Sequence, residues 1–105
     1  MDYDIDIRKI RDYCLNNHHP VGKHKARIFA TILGIHKKDA TLLRELIFEA
    51  MEHAELKASY SDTFGERFTA DIHIQHKGNT AMVRTVWIIR KNKAVYELLT
   101  SYIKT

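Results

Sequence analysis

His18, His19, Lys23, His24, Lys25 and Arg27 stand in one run, HHPVGKHKAR, set around Pro20 and Gly22. Imidazole titrates near neutrality and can take or give a proton, while ammonium and guanidinium groups hold phosphate, the guanidinium in a two-bond fork. Those are the groups needed to cut RNA without a metal. One group must take the proton of a 2′-hydroxyl, another must protonate the leaving oxygen, and a cation must face the charge that develops on phosphorus. Farther along, Arg84 and Thr85 lie in an apolar run, and Thr100 and Tyr102 lie near the end of the chain. On this reading His19 or His24 is the general acid or base. Lys25 and Arg84 hold the phosphate and its transition state, and Thr85 with Thr100 orients it. Lys23 and Arg27 steer the polyanion, while Trp87 and Tyr102 meet the substrate.

The distribution of charge is what groups these residues. Residues 13–38 and 72–96 contain no carboxylate and five Lys or Arg each, whereas eight of the thirteen acids fall within residues 39–71. A folded surface built from the two acid-free windows would carry a positive field suited to nucleic acid or an acidic protein. Each residue also has an ordinary structural reading. His18 and His19 can end a helix, where a protonated imidazole favours the terminal carbonyls, and Lys23, Lys25 and Arg27 can form a solvated face. Trp87 can be core rather than a stacking platform. An unpaired guanidinium in an apolar strand is expensive, so Arg84 either meets a carboxylate such as Asp71 or faces an open anion site.

Other chemistries fit poorly. The seven histidines give no metal-ligand spacing: His73 and His76, three apart on a strand, point to opposite faces, so no metal is expected. There is no Gly-rich phosphate loop, and no cofactor is expected. Cys14 is the single cysteine, which excludes an internal disulfide and points to a reducing compartment. It falls on an apolar helical stripe and reads as core. The acidic start, MDYDIDIRKI, is neither a signal nor a transit peptide, and no stretch is apolar enough to span a bilayer, so a cytoplasmic protein without a membrane partner is expected.

The elements that must position these groups follow from period and punctuation. At 105 residues the chain supports a single domain. Asp4 or Asp6 can cap a first helix carrying Ile7, Ile10, Tyr13 and Cys14 on one face and ending near Asn17. Gly22 opens a second, with Ala26, Phe29, Ala30 and Leu33 aligned and Gly34 as its stop. Asp39 or Thr41 starts a third, with Leu43, Ile47, Ala50, Met51 and Ala54 inward. After Glu55 the period drops to two: Leu56, Ala58 and Tyr60 alternate with polar residues, then Phe68, Ala70, Ile72 and Ile74. Turns are expected at 62–66 and at Lys77, Gly78 and Asn79, before the central strand 81–90. The last segment predicts a short helical turn leading into a fourth strand. The fold class is therefore α+β, N-terminal helices packed on one face of an antiparallel meander of about four strands. The two basic windows can meet only if the end of the HHPVGKHKA run reaches the exposed face of the sheet.

The run NNHHPVGKHKARIFATILGI, then VRTVWII and LLTSY, resembles a family of small bacterial domains reading NPxHPxGxHKAxxFxxxLG, RTxWxI and LxTxY, over most of the chain. The order of helices and strands is also similar to that of the barnase, EndoU, colicin and RelE-like ribonuclease toxins, whose sites are built without metal from scattered His, Lys, Arg, Thr and Tyr on a sheet face. That resemblance implies an endoribonuclease toxin with RNA as substrate and a small acidic antitoxin or immunity protein as partner. The chain has no Glu and His pair of the barnase kind, so the resemblance does not identify the general base. The alternative is a non-catalytic module that binds nucleic acid or an acidic protein, or a regulatory partner in such a system.

Overall fold

The computed structural model describes residues 2–16, 18–20 and 23–105; the expected roles of Asn17 and Gly22 at helix ends fall outside the described residues. A short strand β1 (Asp2–Asp4) leads into α1 (Ile7–Lys9), which runs on as a π-helical turn, Ile10–Cys14. Asp6 caps α1: its carboxylate accepts the Arg8 backbone N–H at 3.0 Å and also clasps the Arg8 guanidinium. Next comes α2 (Lys23–Ile28), continued by a π-helical turn over Phe29–Leu33, and a 3-10 turn at Lys37–Asp39 opens α3 (Ala40–Met51). Gly34 stops the second helix with φ 64°, the left-handed conformation in which glycine carries no Cβ penalty. The carbonyl of Leu33 accepts the Nδ1–H of His76 at 2.7 Å, so an otherwise orphaned helix-end oxygen is tied to the sheet.

Strands β2 (Lys57–Asp62), β3 (Gly65–His76), β4 (Asn79–Arg90) and β5 (Val95–Ile103) form the expected antiparallel meander. The sheet has one strand more than expected. Its order is β1-β5-β4-β3-β2, with β1 parallel to β5 along Asp2–Asp4 and Val95–Glu97. The β3–β4 hairpin turns through Lys77 (φ 51°) and Gly78 (φ 79°), a two-residue turn with both φ positive, whose twist matches that of the strands. Gly65 is required for space, because a Cβ there would overlap the Ile89 carbonyl.

All three helices lie on one face. The π-helical turn after α1 packs on β5, the one after α2 on β4, and α3 on β3. The core between the layers gathers Ile10, Cys14, Phe29, Leu33, Leu43 and Ile47 from the helices against Ala70, Ile72, Val83, Trp87 and Leu98 from the sheet. Among the described residues no helix is long and apolar enough to cross a membrane.

Two local expectations change. The alternation of Leu56, Ala58 and Tyr60 predicts an inward apolar face for β2, yet all six of its residues are exposed. As the edge strand farthest from β1 it runs past the helical cover, and a register shift between Ala58 and Ser61 breaks its pairing. The helical turn expected before β5 is absent, since the chain enters the strand at Val95 after the bend at Asn92. Leu98 and Leu99 looked helical because they are adjacent apolar residues. In the structure Trp87 pairs with Leu98 and Val86 with Thr100, leaving Leu99 as the extra residue of a β-bulge.

Thr85 and Trp87 face the helices and are wholly buried, so neither meets a substrate on the open face. Strand geometry requires this, because neighbours Arg84 and Thr85 must point to opposite sides of the sheet. The Thr85 hydroxyl donates to the Ala70 carbonyl at 2.8 Å and accepts the Trp87 indole N–H at 2.8 Å. Thr85→Val therefore leaves the indole N–H without a partner and should lower unfolding stability by about 1–3 kcal/mol, read from urea denaturation. Unchanged stability would contradict a structural role for that hydroxyl.

Candidate active site

The site is set by an incomplete edge. β1 covers β5 along Val95–Glu97, and farther on, among the described residues, no strand pairs with that side. The first helix fills the gap: Cys14 Sγ accepts both the backbone N–H and the hydroxyl of Ser101, each at 3.4 Å. With this edge closed by a helix rather than a strand, α2 also packs against β5 and its side chains reach round to the outer face.

There the Lys25 ammonium lies 4.6 Å from the centre of the Tyr102 ring and 6.0 Å from that of Tyr13. His19 sets its ring edge-on to Tyr13 at 4.8 Å. Tyr102 stands opposite Arg84 in the β4–β5 register, and Arg84 opposite Asp71 in the β3–β4 register. Arg84 Nε and Nη2 donate to the two Asp71 oxygens at 2.9 and 3.1 Å, and Lys104 Nζ reaches the same carboxylate at 3.1 Å. A contiguous strip results, running from His19 through Tyr13, Lys25, Tyr102 and Arg84 to Asp71 and Lys104.

The strip has three cations, Lys25, Arg84 and Lys104, against one carboxylate. Hydrogen bonds from Arg84 and then Lys104 draw the Asp71 carboxyl down from 3.8 to about 2. The same pairing, with a smaller contribution from Tyr102, raises the Arg84 pKa, so the guanidinium stays charged throughout the working range. On the β3 side of Arg84 a shallow hollow of about 190 Å³ is lined by Glu55, Lys57, Thr69 and Asp71. Its charges balance. On the β5 side Lys25 stands against the Tyr102 ring and forms no ion pair among the described residues, so the positive charge there is uncompensated.

Residues 2–105 match a family described as a domain of unknown function. The chain belongs to that family, DUF6883. No curated protein matches its sequence. In fold, this DUF6883 domain is similar to a chain in a contact-dependent growth inhibition toxin–immunity protein complex from Klebsiella pneumoniae 342. The TM-score is 0.70 at 15% identity, over 95% of this chain and 98% of that one.

Of the residues singled out from the DUF6883 sequence, His19, Lys25, Arg84 and Tyr102 come together in the strip. Thr100 lies two residues before Tyr102 on β5, half-buried, its hydroxyl 3.9 Å from Cys14 Sγ. His24 is exposed on α2 and Lys23 half-buried. Arg27 lies on the other side of α2 from Lys25, as two helical steps require, and lines a separate groove. A single hollow holding all the expected groups is therefore not formed. Tyr13, Asp71 and Lys104 complete the strip without having been singled out as site residues. Asp71 was legible: a hairpin turning at Lys77 and Gly78 places it opposite Arg84. Tyr13 was hidden by its place on an apolar helical stripe, and nothing in the sequence marks Lys104. Among the described residues no three His, Cys, Asp or Glu side chains converge on a metal position.

The Asp71 carboxyl sits lower in the folded than in the unfolded chain, so its contribution to stability is complete above about pH 4 and is lost as pH falls toward 2. A carboxyl carbon NMR titration should place the Asp71 midpoint near 2, and Arg84→Gln should move it upward. A midpoint at 3.8 in the unaltered protein would show that the pair does not form.

Proposed function

We propose that this DUF6883 domain is a metal-independent endoribonuclease of a toxin system. The observation that carries the reading is the Lys25 ammonium beside Tyr102, opposite Arg84, which joins the two acid-free windows on one exposed surface. The 2′-oxygen attacks phosphorus as the P–O5′ bond breaks, giving a 2′,3′-cyclic phosphate and a free 5′-hydroxyl. The 2′-hydroxyl proton passes to a base and O5′ receives a proton from an acid. His19 and His24 are the imidazoles assigned to these transfers, with His19 linked to the strip through Tyr13. Lys25 and the Arg84 edge not engaged by Asp71 face the charge on the phosphorane oxygens. Asp71 positions Arg84, and Lys23 draws in the polyanion.

The fold likeness to a chain of a toxin–immunity complex supports a toxin setting, and the excess of basic side chains supports an acidic immunity protein as partner. One observation favours the alternative of a non-catalytic binding module: Arg84 already has a carboxylate across both Nε and Nη2. Turnover separates the two. Total RNA incubated with the purified domain in EDTA should yield fragments with cyclic phosphate ends. Lys25→Ala and Arg84→Ala should each lower the rate by about 10²–10³ while the far-UV spectrum is unchanged. Intact RNA, or full activity in both variants, would overturn the enzymatic reading.

A further inference from the structure

Away from the strip, an open groove of about 600 Å³ runs between the second helix and the 3-10 turn that precedes α3. Its lining joins Ala30 and Thr31 to the almost wholly buried Leu15 and Ala26, and its rim carries Arg27, His36, Lys37 and Lys38. The four rim side chains are exposed. The state of Arg27 sets this groove apart from the other arginines. Arg8, Arg11, Arg67, Arg84 and Arg90 each pair with a carboxylate, and Arg44 donates to the Ile5 carbonyl at 2.8 Å. Arg27 has neither kind of partner among the described residues, and Lys37 and Lys38 form no ion pair among them. Two carboxylates lie in the neighbouring segments: Asp12 is clasped by Arg11 at 2.8 Å and also feels the charge of Lys37, and Asp39 accepts the His36 backbone N–H at 3.0 Å.

A forked donor and two ammonium groups on the rim match one nucleotide, phosphate on the rim and the flat face of a base or ribose in the groove. The groove is several times too large for a phosphate ion alone, whereas its size is in the ordinary range for a small-molecule site. Arg27 and Lys25 share a helix and point to different sides of it, so one RNA strand crossing α2 meets both. We infer that the Arg27–Lys38 groove is a second subsite for single-stranded RNA, holding a nucleotide outside the bond cut at the Lys25–Arg84 strip. This rests on the RNA reading above for the class of ligand, but it requires binding, not cleavage.

A short 2′-O-methyl oligoribonucleotide, which cannot be cut by 2′-oxygen attack, serves as the probe, with affinity followed by fluorescence anisotropy across a salt series. The Arg27→Gln/Lys38→Gln double variant should bind on the order of tenfold more weakly, with its log K against log salt slope shallower by about 0.7 for each phosphate that the groove no longer neutralises. Lys91→Gln/Lys93→Gln removes equal charge from the distant β4–β5 loop and should bind nearly as the unaltered protein does. Equal weakening in both double variants would reduce the effect to a diffuse field and overturn the subsite. Unaltered affinity of the Arg27→Gln/Lys38→Gln protein would also overturn it, as would a defect seen with polyglutamate but not with the oligonucleotide, which would assign the groove to an acidic protein. If the oligonucleotide binds through the groove while total RNA stays intact in EDTA, the subsite stands and the cleavage reading falls. If RNA is cut normally and the groove variant binds normally, the subsite alone falls.

Discussion

Among the described residues no strand pairs with the outer side of β5 beyond Glu97, and the rest of the arrangement follows from that constraint. A backbone N–H left at a sheet edge must find water or a partner. Here β1 serves the first three residues, and beyond them the Ser101 N–H turns to Cys14 on the first helix. The first helix, on the inner face, also reaches this edge, and α2 packs against β5 at the same corner of the sheet. That corner position lets a lysine of α2, an element of the inner layer, touch a tyrosine that faces outward. Had β1 run the full length of β5, Lys25 and Tyr102 would be separated by a strand.

The contacts that hold the strip are weak individually. An ammonium near an aromatic ring contributes about 0.5–1 kcal/mol at an exposed site, and an exposed ion pair contributes little once screened by salt. These contacts orient Lys25 and Arg84 on the outer face of the sheet. The buried pairings behave differently. Thr85, Trp87 and the Ala70 carbonyl form a closed set of hydrogen bonds beneath Arg84, out of reach of solvent, and fix the part of β4 from which the guanidinium projects. The guanidinium faces outward and its support faces inward on consecutive residues of one strand.

Much of this was legible in the sequence. Helical spacing located the three helices, the Lys77–Gly78 turn fixed the β3–β4 register, and the acid-free windows marked two segments that do meet. Strand alternation alone could have separated Arg84 from Thr85 and Trp87, because adjacent residues cannot share a face. What the sequence hid was non-local. β1 is three residues of alternating acid and tyrosine whose pairing depends on a strand more than ninety positions away. The bulge at Leu99 put two leucines side by side and imitated a helix. The Cys14 to Ser101 contact, which creates the corner, joins an apolar stripe to a strand edge, and neither residue type announces it.

On the proposed function the corner of the sheet, rather than its buried face or its far edge β2, receives a phosphodiester. The most direct measurement is a crystal structure of the domain with a non-cleavable 2′-O-methyl dinucleotide. Its phosphate should lie between the Lys25 ammonium and the Arg84 guanidinium, beside the Tyr102 ring. A phosphate bound elsewhere, with Lys25 still on Tyr102 and Arg84 engaged by Asp71 alone, would contradict that claim.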